Sequence, residues 1–159
     1  MKVVKLIANK ANVYDEAEKV ASYIGVKTED NEKQQDKNAY DRIMITDQDR
    51  QVLERFWNEA CNAVTEQLKE FVVDVKPQGV SHGVELDVNY ELTLEMPDSF
   101  EDVMADAMTT SLHSYFVSYI VARWLRLTKP EESEAYGKDA AGALEDIESK
   151  AFLRKRPTR

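Results

Sequence analysis

The segment Val84 to Met96, VELDVNYELTLEM, alternates apolar and polar residues at every step. A period of two belongs to a strand with one face buried and one face wet. Most of the remaining chain repeats its apolar residues at helical spacing instead. At about 3.4 Å per residue the segment would extend for roughly 40 Å, far beyond an ordinary strand. The run FVVDV, 71–75, precedes it, and 77–83 holds two glycines, so the pattern predicts a hairpin closing at 77–83. Such a hairpin sets Lys76 near Val84 and Val72 near Val88, and it leaves Tyr90 to Met96 without a partner. Backbone groups in that position need other backbone. Two sources are open: the run Val3 to Ile7 of the same chain, or a strand of a neighbouring subunit. Tyr90, Leu92, Leu94 and Met96 are therefore the candidate subunit-interface strand. Glu85, Asp87, Glu91 and Glu95 fall on the opposite face, as a candidate acidic surface.

Around this ribbon the spacing predicts four helices. The first carries Val13, Tyr14, Ala17, Val20, Ala21 and Ile24 on one face, with Gly25 as its stop. From about 28 to 45 the chain is mostly charged or amide residues, a composition that cannot bury enough apolar area to order itself and predicts a mobile linker. Thr46 with Asp49 forms a capping box for a second helix through about Glu70, whose seam includes Leu53, Phe56, Trp57, Ala60 and Val64. Ser99 with Asp102 announces a third helix of about 28 residues. Its second half is apolar nearly all round, as a buried spine should be. Ser111, Ser114, Ser118 and Ala122 line a small-residue stripe along it, suited to close approach by another element. Thr128 with Glu131, and Pro130 in the first turn, opens the last helix, which ends in the basic tail RKRPTR. Arg154, Lys155, Arg156 and Arg159 form a candidate docking tail, expected to be frayed over 154–159. The fold class is α+β and mostly helical: a single domain over 1–159, four helices with a long β-hairpin, and a small antiparallel sheet if the N-terminal strand completes it.

Composition narrows the function. A formal net charge of −9 opposes general binding to nucleic acid or anionic membrane, which needs a positive field. No apolar run reaches the roughly 18 to 20 residues that span a bilayer, and the first apolar segment is too short for a signal peptide. A single cysteine and two histidines give no zinc-ligand spacing. Cys61 and His113 have no activating neighbour in sequence, His82 lies in the turn, and the glycines form no phosphate loop. The expectation is a chain without catalytic, metal or cofactor residues, located in the cytoplasm, whose partners are proteins.

The order EKVASYIGVKTED, a charged gap, then DQDRQVLERFWNEACNAVTEQLKEF resembles the opening helices of the head-tail connector, or head completion, proteins of tailed bacteriophages. MADAMTTSLHSYFVSYIVARWL and EAYGKDAAGALEDIESKAFLRKRP are similar to that family's later helices and short basic tail. The resemblance implies a non-enzymatic, virion-associated subunit that forms a homo-oligomeric ring between portal and tail components. It implies no catalytic residue, no membrane contact and no sequence-specific nucleic-acid binding, only the passive passage of DNA past the acidic face. A monomeric protein-binding adaptor or regulatory module from a mobile element is the alternative.

Overall fold

The computed structural model describes residues 1–31, 38–76 and 85–157. Its sheet has three antiparallel strands: β1 (Lys2–Ala8), β2 (Val72–Lys76) and β3 (Tyr90–Met96), in the order β1-β3-β2. β3 is central. β1 runs beside it from Lys2↔Met96 to Ala8↔Tyr90, and β2 from Val72↔Leu94 to Lys76↔Glu91. Of the two sources of backbone, the one inside the chain is used.

Three expectations about the ribbon change accordingly. The strand covers Tyr90–Met96 only, and 85–89 form a turn in which the Val88 N–H donates to Glu85 O at 3.1 Å. Lys76 faces Glu91 rather than Val84, and Val72 faces Leu94 rather than Val88. The displacement is seven residues at Lys76 and six at Val72, the difference being a bulge at Val73. A single strand with both edges occupied satisfies its backbone on each side, whereas the tight hairpin would have left Tyr90 to Met96 half paired. The expected turn at 77–83, His82 included, lies outside the described residues.

Helix α1 (Lys10–Asn31) continues through Gly25. This glycine is a crossing point: a Cβ added there would stand 3.0 Å from Tyr40 Cα and 3.2 Å from Tyr40 Cδ2. Tyr40 belongs to the short helix α2 (Ala39–Ile43), which buries Ala39 and Ile43. Ile45 and Thr28 are buried too, and the Trp124 indole N–H donates to Ile43 O at 2.5 Å. The expected linker at 28–45 is therefore structured on both sides of 32–37, which lie outside the described residues. Ala39, Ile43 and Ile45 are buried there and anchor the stretch.

The Thr46 capping box forms: the Asp49 carboxylate accepts the Thr46 N–H and hydroxyl, each at 2.9 Å. A single 3-10 turn (Asp47–Asp49) then enters α3 (Arg50–Gln67). Helix α4 (Met104–Thr128) is the spine, burying Met108, Leu112, Phe116, Ile120, Val121 and Leu125. The other two expected caps do not form. Asp102 binds lysines instead, and the Thr128 hydroxyl donates to Trp124 O at 3.1 Å. One residue, Lys129, joins α4 to α5 (Pro130–Ala151), which returns along the spine. Lys129 is buried; its ammonium donates to Thr28 Oγ1 at 2.6 Å, and the Thr28 hydroxyl donates to Ile24 O in α1 at 2.8 Å.

Glycine substitutions separate close approach from helix propensity. Gly25→Ala lowers stability, because Tyr40 backbone must shift. Gly142→Ala, in α5 with nothing within 4 Å of the added carbon, raises it by about 0.5–1 kcal/mol. Urea denaturation reads both signs.

Candidate functional site

One face of the sheet is committed to the core. Leu6 and Ala8 of β1 and Tyr90, Leu92, Leu94 and Met96 of β3 are all at most 1% exposed. This corrects the candidate interface strand: those four side chains lie inside the chain's own core, and β1 and β2 occupy both edges of β3. The Tyr90 hydroxyl is also engaged, 2.7 Å from Thr65 Oγ1 on α3. The free edges among the described residues belong to β1 and β2.

The other face is open. It presents Val3, Ile7 and Val73, which are 67%, 45% and 56% exposed. Lys5 stands across from Thr93, Val3 from Glu95, Ile7 from Glu91, and Lys76 from Glu91 on the opposite side. Glu91 and Glu95 thus lie on this face as expected, while Glu85 and Asp87 are exposed on the turn that precedes β3. The expected strongly negative face is mixed in sign, because Lys5 and Lys76 flank its carboxylates. Three exposed β-branched side chains framed by charges of both signs give this surface both apolar area and registration.

The basic tail folds back at its start. Phe100 and Arg154 form an isolated antiparallel bridge, and the Lys155 N–H donates to Ser99 O at 2.7 Å. The Arg154 guanidinium donates to Ala151 O at 2.8 Å and Leu153 O at 2.9 Å, at the helix end where a cation suits the dipole. Asp102 pairs with Lys155 at 3.2 Å and Lys2 at 3.0 Å. Fraying therefore does not begin at 154, and Arg154 and Lys155 are spent on internal contacts. Arg156 is exposed, and Arg159 lies outside the described residues.

The largest feature hidden from sequence is a buried polar cluster where α1 meets α3. Lys10 is 1% and Glu54 4% exposed. The Lys10 ammonium donates to Glu54 Oε1 at 2.6 Å, and the Tyr14 hydroxyl donates to Glu54 Oε2 at 2.7 Å. Lys10 Nζ also lies 5.3 Å from the centre of the Trp57 ring, within cation–π range. Burial, followed by the bond to Glu54, pushes the Tyr14 phenol far above its ordinary pKa. Burial does the same to the Cys61 thiol, which disfavours the thiolate. Both carboxylate oxygens are occupied, so the cluster fixes geometry. A signal existed: Lys10 shares a helical stripe with Tyr14 and Ala17, and Glu54 with Trp57 and Cys61. His113 meets Glu16 of α1 instead of Cys61. Among the described residues, no three His, Cys, Asp or Glu side chains are grouped to hold a metal, and no helix is long and apolar enough to cross a membrane.

Two outcomes follow from these geometries. Lys10→Met lowers stability by about 3–5 kcal/mol, since it strands a buried carboxylate; adding Glu54→Met and Tyr14→Phe recovers most of the loss in thermal and urea unfolding. At the tail, Lys2 and then Lys155 hold the Asp102 carboxyl below its ordinary range. The folded pKa is thus below the unfolded one, so the tether acts fully above about pH 4 and is lost as pH falls through the lower folded value. Amide exchange at Lys155 should accelerate in that acid window, beyond the intrinsic pH trend, and Asp102→Asn should abolish the change. Comparison with protein-family models, curated proteins and solved structures finds no match to this chain.

Proposed function

We propose that this chain is a non-enzymatic structural subunit, and that the neck of a tailed phage is the assembly it serves. The supporting observation is the open face of the sheet, where Val3, Ile7 and Val73 stand exposed among Lys5, Lys76, Glu91 and Glu95. Apolar area ringed by charge is the make-up of a protein contact, and a free strand edge beside it can extend the sheet. β1 is the better edge, since the bulge at Val73 interrupts β2. The phage assignment rests on the helical order: α1, α3, the long α4 and α5, followed by a short basic tail, resembles head-tail connector subunits. In that role copies of the chain contact one another head to tail and close into a ring when the rotation allows. Portal and tail components would be the neighbours above and below.

A second reading, a monomeric protein-binding adaptor, is favoured by an open groove between α4 and α5. Solution mass separates the two. Sedimentation velocity at micromolar concentration should show oligomers for the wild-type chain. The Val3→Lys, Val73→Lys double variant should weaken association about tenfold or more while keeping its helical circular dichroism. A wild-type chain that stays monomeric alone and with portal or tail proteins removes the assembly reading.

A further inference from the structure

The sheet ends on two unlike edges. Among the described residues, no strand lies beyond β1 on one side or beyond β2 on the other. Each of them runs antiparallel to β3, so the two edge strands run the same way. A second copy displaced across the sheet, and not turned over, can lay its β2 parallel to β1 of the first, with the helices of both copies on one side.

The register inside the chain says which residues stand level. Lys5 and Asp74 both lie opposite Thr93, Val4 and Val72 opposite Leu94, and Leu6 and Val75 opposite Leu92. Carried across the boundary without slip, these rows set Lys5 beside the next copy's Asp74 on the open face. On the core face they set Val4 and Leu6 beside its Val72 and Val75. Val4, Val72 and Val75 are only partly buried, at the margin of the core, where an added strand covers them. A slip of one residue turns every side chain to the wrong face. A slip of two sets Lys5 against Lys76 in one direction and carries it past the start of β2 in the other.

Both charges are free to pair. Lys5 is exposed and Asp74 half-buried, and neither side chain has an ion pair or hydrogen bond with a described residue. Within one copy they stand two strand spacings apart, about 10 Å, with Thr93 between them. Across the boundary one spacing separates them. Pairing like edges does worse: antiparallel β1 on β1, centred on the strand, opposes two copies of Lys5. A β2 on β2 contact about Val75 trades Asp74 with Lys76 but leaves the seven-residue β1 edge bare.

We infer that the strand received by the β1 edge is β2 of a second copy, in parallel register, with Lys5 of one copy paired to Asp74 of the next. This rests on the assembly reading and names its contact, a heterologous one that repeats from copy to copy until the rotation closes it.

The test is sedimentation velocity of the full-length chain at micromolar concentration and low ionic strength, where surface charges are least screened. Lys5→Glu and Asp74→Lys should each weaken association about fivefold or more. The double reversal in one chain should restore it. An equimolar mixture of the two single variants should restore it as well, because alternating copies then meet either as the native pair or as its reversal. Helical circular dichroism should be unchanged throughout, since neither charge has an internal partner; a variant weakened by misfolding would not be repaired by mixing. Oligomers indifferent to Lys5→Glu would overturn the inference and leave assembly standing, as would losses in both single variants that the mixture fails to repair. Tighter association of Lys5→Glu would overturn it too, assigning the contact to β1 on β1. A wild-type chain that stays monomeric alone and with portal or tail proteins removes both readings.

Discussion

Strand β3 has backbone partners on both edges and a fully buried face, and the other elements are arranged around that requirement. β1 supplies one edge and delivers the chain directly into α1, while β2 supplies the other and follows directly from α3. The two helices that follow and precede the flanking strands are thereby brought over the same apolar surface. Leu92 and Leu94 share one buried core with Leu112 and Phe116 of the spine helix. Aromatic contacts tie the layers together: Trp57 of α3 and Tyr90 of β3 both pack against Phe116, with ring centres 4.5 Å and 5.7 Å apart.

Polar contacts then fix how the layers sit. The Lys10, Glu54 and Tyr14 cluster locks the start of α1 to α3. Asp102 gathers a lysine from each end of the described chain, and Glu59 of α3 receives Tyr119 and Arg123 of α4. Buried charge is costly unless its partners are well placed, so the Lys10–Glu54 pair specifies one arrangement more than it adds net stability. Outside them, Glu91 and Glu95 lie on the open sheet face and Glu85 and Asp87 on the turn before β3.

Much of this architecture was legible in the chain. Period-two alternation marked β3, helical spacing marked α1, α3, α4 and α5, and Thr46 with Asp49 marked the start of α3. What misled were local signals overruled by tertiary contact. Gly25 looks like a stop, but the close passage of Tyr40 makes glycine necessary inside the helix. Ser99 with Asp102 has the spacing of a cap, yet two lysines distant in sequence claim the carboxylate. The register of β2 was illegible because turn chemistry at 77–83 suggests a tight hairpin, while the apolar face at 90–96 gains more by sitting between two strands. Of the proposed surfaces, Glu91 and Glu95 were found by alternation alone. The groove was not, since nothing in a single helix reveals which of its faces a neighbour leaves uncovered.

The corner at Lys129 bears on how force would travel through the molecule. A one-residue connection gives the last two helices no slack, and its buried ammonium is moored to Thr28 in the final turns of α1. Tension applied to α5 by anything seated beside it therefore has no hinge to absorb it. That mooring, with the close crossing of Tyr40 at Gly25, ties the C-terminal helix pair to the first helix.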